Sequence, residues 1–153
     1  MPATFTVKRS LDIRAPADRL YPQVADFHAW AAWSPYEKKD PAMNRRFSGA
    51  PTGVGAVYEW EGNRNVGKGR MEVLEATAPS KIRIALHFMK PFEARNTAEF
   101  TFEPRAENTT VTWAMYGPLT LMGRVMGLFI NMDRMIGTDF EAGLKNLKAL
   151  AEK

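Results

Sequence analysis

The sequence contains no cysteine, and that absence removes several chemistries at once. Disulfide staples, thiolate metal sites and thiol nucleophiles are all excluded. Histidine is almost as scarce: His28 and His87 are the only two in 153 residues. Two distant histidines without a cysteine offer no zinc-ligand spacing, so no metal site is expected. Long apolar runs are missing too. Charges interrupt every apolar stretch of MPATFTVKRSLDIRAPADRL, which argues against a secretory signal. The longest apolar-leaning stretch, 119–130, carries Arg124 and is too short to span a bilayer. A cytoplasmic location without stable membrane insertion is the expectation. The net charge is +4, but the basic residues are scattered as Lys8-Arg9, Lys38-Lys39 and Arg45-Arg46 among acidic neighbours. Phosphate binding wants a continuous basic stripe, so nucleic acid is not an expected partner.

The familiar catalytic signatures are missing as well. No G-x-S-x-G elbow, phosphate loop or H-E-x-x-H is present, and neither histidine has an evident serine partner. Gly53-Val54-Gly55 and Gly67-Lys68-Gly69 are too short for dinucleotide loops and read as tight turns or points of sheet curvature. No cofactor is expected.

What remains is one domain with ample material for a core. A chain of this length buries roughly 70% of its unfolded surface, so it needs no covalent staple. Residues 5–13 alternate, with Phe5, Val7, Leu11 and Ile13 on one face and Arg9 as that face's exception. A period of two marks a half-buried strand. Ala15-Pro16-Ala17-Asp18 opens a short helix to about Ala25, since proline fits a first turn. Asp26 can cap a second short helix through Phe27, Trp30 and Trp33, ended at Ser34-Pro35. From Asn44 onward, alternating runs follow one another with turn residues between them. The inward sets are Ala56, Tyr58, Trp60; Gly67, Gly69, Met71, Val73; Ile82, Ile84, Leu86, Phe88; Asn96, Ala98, Phe100, Phe102; and Val111, Trp113, Met115. Short linkers of this kind imply consecutive antiparallel hairpins.

The last third reads as one helix over 119–152. At 100° per residue, Met122, Met126, Phe129, Ile136, Phe140, Leu144, Leu147 and Ala151 fall within about 40° of one direction, a long buried face. Glu141, Lys145, Asn146 and Lys148 occupy the far side. A sheet of about seven strands curls, and a single helix about 10 Å wide cannot fill its concave face. The shortfall predicts a cavity between helix and sheet.

This order resembles the helix-grip fold of the START, birch-pollen-allergen and polyketide-cyclase group, closest to SRPBCC proteins of the polyketide cyclase/dehydrase-like kind. The resemblance spans essentially the whole chain. It is carried by Trp30-Ala31-Ala32-Trp33-Ser34-Pro35, Gly53-x-Gly55, Trp60-x-Gly62, Gly67-x-Gly69, Thr110-Val111-Thr112-Trp113 and Phe140-Glu141-x-Gly143-Leu144-x-x-Leu147-Lys148. It implies an α+β architecture: a curved antiparallel sheet of about seven strands wrapped on a long C-terminal helix, with two short helices after the first strand. Members range over lipid carriers, hormone receptors, ring-closing enzymes, chaperone activators and toxins, so the fold alone does not choose an activity.

The candidate ligand-binding residues are Tyr58, Trp60, Met71, Ile84, Leu86, Phe88, Asn96, Phe100, Trp113, Met115, Met126, Phe129 and Asp133. Against this stands the plainer reading of a filled core. Methionine is soft and adaptable, and six of the nine lie between Met89 and Met135, where a cavity mouth would be. Asp133 wheels to about 20° from Phe140, near the centre of the apolar stripe. A carboxylate there must be paired or must serve as a polar anchor, and Arg9, inward on its own strand, is the natural partner to consider. Asn96 offers donors and an acceptor to a ligand carbonyl or hydroxyl, and equally to a turn.

Three functions follow. The first is a binding module, monomeric or homodimeric, for a small hydrophobic molecule: lipid-like, polyketide-like or aromatic. The second is a cyclase/dehydratase-type enzyme in which Asp133, Tyr58 or Asn96 handles protons or polarises an oxygen. The third, an interaction role like that of the chaperone activators, needs an exposed apolar patch that the polar outward residues do not offer.

Overall fold

The computed structural model describes residues 4–36, 42–62, 67–90, 94–118 and 132–152. Strand β1 (Thr4–Ile13) leads into helix α1 (Ala17–Ala25), a 3-10 helix (Phe27–Ala32) and then six strands in succession. These are β2 (Asn44–Gly49), β3 (Ala56–Glu61), β4 (Lys68–Thr77), β5 (Lys81–Lys90), β6 (Ala94–Arg105) and β7 (Asn108–Pro118). Helix α2 (Met132–Ala151) closes the chain. The first thirteen residues of the helix expected over 119–152, at 119–131, lie outside the described residues.

Local chemistry accounts for the first turns. Pro16 sits at the N-cap of α1, where its missing N–H costs no hydrogen bond, and Leu20 and Val24 turn to the core. Asp26 breaks the helix and caps the next one, its Oδ1 accepting the His28 N–H at 2.9 Å. The 3-10 helix ends at Ala32 with Trp33 as its C-cap, one residue short of the expected span, and Pro35 and Tyr36 are helical again.

All six strand pairings are antiparallel, in the order β1-β7-β6-β5-β4-β3-β2. Strands β2 to β7 form a meander, while β1 joins it at the far edge beside β7, so α1 and the 3-10 helix must cross the sheet. Register shifts on β4, at Lys68/Gly69 and Val73/Glu75, add the local twist that bulges impose. The registers align inward side chains in rows across the strands. One row runs Arg9–Trp113–Phe100–Ile82, the next Val7–Met115–Ala98–Ile84–Val73. Beyond them lie Asn96–Leu86–Met71–Tyr58–Phe47 and then Phe88–Gly69–Trp60–Arg45.

Outward positions are polar and paired: Lys81 reaches Glu99 at 3.2 Å, Arg83 reaches Glu75 at 3.4 Å, and Ser10 bonds Thr112 at 2.8 Å. Helix α2 buries Phe140, Leu144, Leu147 and Ala151, and burial of each of the three larger side chains contributes about 1.5–3 kcal/mol. Arg9 ties the helix to β1. Its Nε donates to Glu141 Oε2 at 3.1 Å, and its guanidinium lies where a Cβ on Gly137 would sit. At the other end, Arg14 N–H donates to Glu152 at 2.7 Å, so α2 runs in the same direction as β1.

Candidate functional site

The inner face of the sheet divides into a filled part and a more accessible part. The filled part is an aromatic stack. Trp113 lies between Phe140 of α2, with centroids 4.0 Å apart and planes 11° from parallel, and Phe100 of β6 at 4.9 Å. Trp33 and Trp30 meet these rings edge-on, at 5.6 Å to Trp113 and 5.7 Å to Phe100 respectively. Each indole N–H is satisfied without reaching into the interior: Trp30 Nε1 donates to Val24 O at 2.8 Å and Trp33 Nε1 to Gln23 O at 2.9 Å. The two tryptophans of the Trp30–Pro35 motif therefore serve as wedges between the sheet and α2.

Three further contacts fix that wedge to the helix. Asn146 Nδ2 donates to Trp33 O at 3.0 Å. Gly143 lets Trp113 and Pro35 approach so closely that a Cβ would stand 2.8 Å and 3.0 Å from them. The Tyr36 hydroxyl donates to the Asp139 carboxylate, and burial first, then the Asp139 charge and this bond, push the phenol far above its ordinary 10.0. Tyr36 accordingly stays neutral at any working pH. Asn146 was expected on the solvent side of the helix; it instead faces the 3-10 segment, because that segment covers the flank of α2 which a helical wheel leaves open.

Away from the stack, the inward side chains become progressively more accessible. Along β5, Ile82 and Ile84 are 0% exposed, Leu86 is 9%, and Phe88 is half-buried. The same trend runs along β4, from Val73 at 1% to Met71 at 8%, and along β3 and β6 toward half-buried Trp60 and Asn96. The Trp60 indole packs against Gly69, where a Cβ would come within 2.4 Å of the ring, and it meets Phe88 edge-on at 6.0 Å. Asn96 packs its Oδ1 over Gly117 and directs Nδ2 at the Met115 sulfur, 3.9 Å away. Tyr58 touches Phe27 at 5.8 Å and Phe47 at 5.2 Å, and Phe47 stacks on His28 at 4.0 Å. These contacts join the 3-10 helix to the β2 edge.

The structure thus brings Tyr58, Trp60, Met71, Leu86, Phe88, Asn96 and Met115 onto one contiguous stretch of the inner face, with Ile84 beside them. Phe100 and Trp113 stand in the aromatic stack at its back. Met126 and Phe129 lie outside the described residues. Asp133 falls in the first turn of α2 and its side chain is not among those described. Among the described residues no group of His, Asp and Glu could hold a metal ion, and no helix is long and apolar enough to cross a membrane. Another concavity, an open groove of about 450 Å³, lies at the opposite end of the molecule between Pro16, Pro79, Pro104 and Asn108. It is lined by the start of α1, by Pro79 and by the β6–β7 hairpin end.

The family model described as "Polyketide cyclase / dehydrase and lipid transport" matches residues 4–152. The chain belongs to this family. Among curated proteins, none matches the sequence. Several solved structures share the fold. A protein from Thermobifida fusca is 22% identical with a TM-score of 0.68, over 94% of this chain and 90% of that one. The di-domain ARO/CYC protein BexL of the BE-7585A biosynthetic pathway is 17% identical with a TM-score of 0.71; the match covers 98% of this chain and 50% of BexL. The Aha1 dimer from Colwellia psychrerythraea is 13% identical with a TM-score of 0.66, over 97% and 96%. Identities this low establish the architecture, and the polyketide cyclase/dehydrase fold here is the helix-grip arrangement of seven antiparallel strands around a C-terminal helix.

Proposed function

We propose that this polyketide cyclase/dehydrase family member binds a small hydrophobic molecule, lipid-like, polyketide-like or aromatic, against the inner face of its sheet. The observation that carries the reading is the gradient of accessibility. Apolar side chains on a concave, inward surface are ordinarily sealed, as Ile82 and Ile84 are, yet Trp60 and Phe88 on the same face keep part of their surface exposed. In the proposed site Tyr58, Met71, Ile84, Leu86 and Met115 form the wall, and Trp60, Phe88 and Asn96 frame the open end. Phe100 and Trp113 form the back. The molecule acts as a monomer or homodimer in the cytoplasm. It needs no metal or cofactor for binding.

A second reading favours an enzyme of the cyclase/dehydratase type. Its support is Asn96, an amide set in the same row as Tyr58 and between apolar neighbours, where it could orient a substrate carbonyl. Native mass spectrometry of protein purified from its own source tests binding. A co-purifying small organic molecule, released by solvent extraction, is the expected result. Protein that carries none, and that no fatty acid, isoprenoid or polycyclic aromatic stabilises against heat, would rule the reading out.

A further inference from the structure

Among the described residues, the inward rows of the sheet hold one side-chain amide, Asn96, and its surroundings fix where it points. On one side β7 presents Gly117, whose missing side chain leaves a slot: a Cβ there would stand 2.4 Å from Asn96 Oδ1. On the other side Leu86 and then Met71 continue the row across β5 and β4. The carboxamide is thus laid toward β7, with Nδ2 directed at the Met115 sulfur 3.9 Å away. A thioether is a weak acceptor, and among the described residues it is the hydrogen-bond partner of this amide. Its Nδ2 carries a second N–H, and its Oδ1 can accept as well. The side chain is half-buried at the accessible end of the wall, within reach of a molecule lying against Leu86.

A guest that covers this amide strips water from it, and must then answer it or leave it unpaired. A polar group covered without a partner weakens binding about tenfold. We infer that Asn96, set in place by Gly117, makes the site select a molecule with an uncharged oxygen, a carbonyl or a hydroxyl. That oxygen accepts from Nδ2 while the apolar body lies over Leu86 and Met71. The inference rests on the proposed binding function, names the polar group of the guest, and requires no reaction at it. A neutral oxygen suits the place better than an anion, because an amide has no charge to offset the desolvation of one.

The test is equilibrium dialysis of three compounds against wild-type protein and Asn96→Leu, a variant that keeps the branched shape without the amide. The compounds are acetylnaphthalene, the alcohol made by reducing it, and isopropenylnaphthalene, a hydrocarbon shaped like the ketone. The quantity read is the affinity for ketone or alcohol divided by that for the hydrocarbon, so that differences in water solubility cancel between the two proteins. For the ketone, the alcohol or both, this ratio should fall about tenfold from wild type to Asn96→Leu. Where the ketone is favoured, isotope-edited infrared spectra should place its bound carbonyl stretch below the position in hexane for wild type, and nearer that position for Asn96→Leu. Ratios unchanged by the substitution for both compounds would overturn the selection by Asn96 and leave the apolar site standing. Binding of none of the three to wild type would overturn the apolar site and, with it, the inference.

Discussion

Trp113 organises the interior because both of its faces are covered, one by Phe100 and the other by Phe140, while its edges meet Trp30 and Trp33. So dense an arrangement tolerates little added volume. Gly143 is the sensitive point: a methyl group there would press on the Trp113 ring and on Pro35 together. Gly143→Ala is expected to destabilise the protein by about 1–3 kcal/mol, read as a lower urea midpoint with an unchanged slope. At this scale the sequence was only partly legible. The inward alternation of Tyr58, Met71 and Leu86 followed from period two alone. That Phe100 and Trp113 would be locked among Trp30, Trp33 and Phe140 could not be read, because alternation reports the face of a strand and not what lands on it.

Among the elements, the seam between the 3-10 segment and α2 sets how the helix sits on the sheet. Asn146, Gly143 and Asp139 lie along one flank of α2, and Trp33, Pro35 and Tyr36 answer them. The seam has a pH signature. Tyr36 resists ionisation in the folded protein, whereas in the unfolded chain it loses its proton near its ordinary value of 10.0. Below that pH both states hold the proton and nothing is lost. Above it the unfolded state binds fewer protons than the folded state, so the stability of the fold falls as pH rises. Tyr36 should contribute a loss approaching about 1.4 kcal/mol per pH unit on the alkaline side. Urea unfolding at pH 9, 10 and 11 should show a shallower decline in Tyr36→Phe than in wild type; parallel declines would show that Tyr36 is not held in this way. The strands themselves were legible from sequence in number and order of appearance, because hairpin turns punctuate them so regularly. The pairing of β1 with β7 was not legible in the sequence, since no local pattern links residues about a hundred positions apart.

Across the whole molecule, a helix anchored beside β1 leaves the far side of a seven-stranded sheet to be covered by other means. The aromatic stack fills the part nearest α2, and accessibility then rises toward Trp60, Phe88 and Asn96. The general expectation of an interior site thus followed from the mismatch between one helix and a broad sheet, whereas the location of its open end required coordinates. The central claim is that a hydrophobic guest occupies this end of the inner face. Methyl NMR of methionine-labelled protein tests it most directly, because Met71 and Met115 lie on the wall, while Met89 alternates with Phe88 on β5 and belongs to the outer face. Titration with an apolar compound should shift the Met71 and Met115 methyl signals in a saturable way and move Met89 much less. Saturable binding that left both wall methyls unmoved, or displaced Met89 alone, would contradict the account.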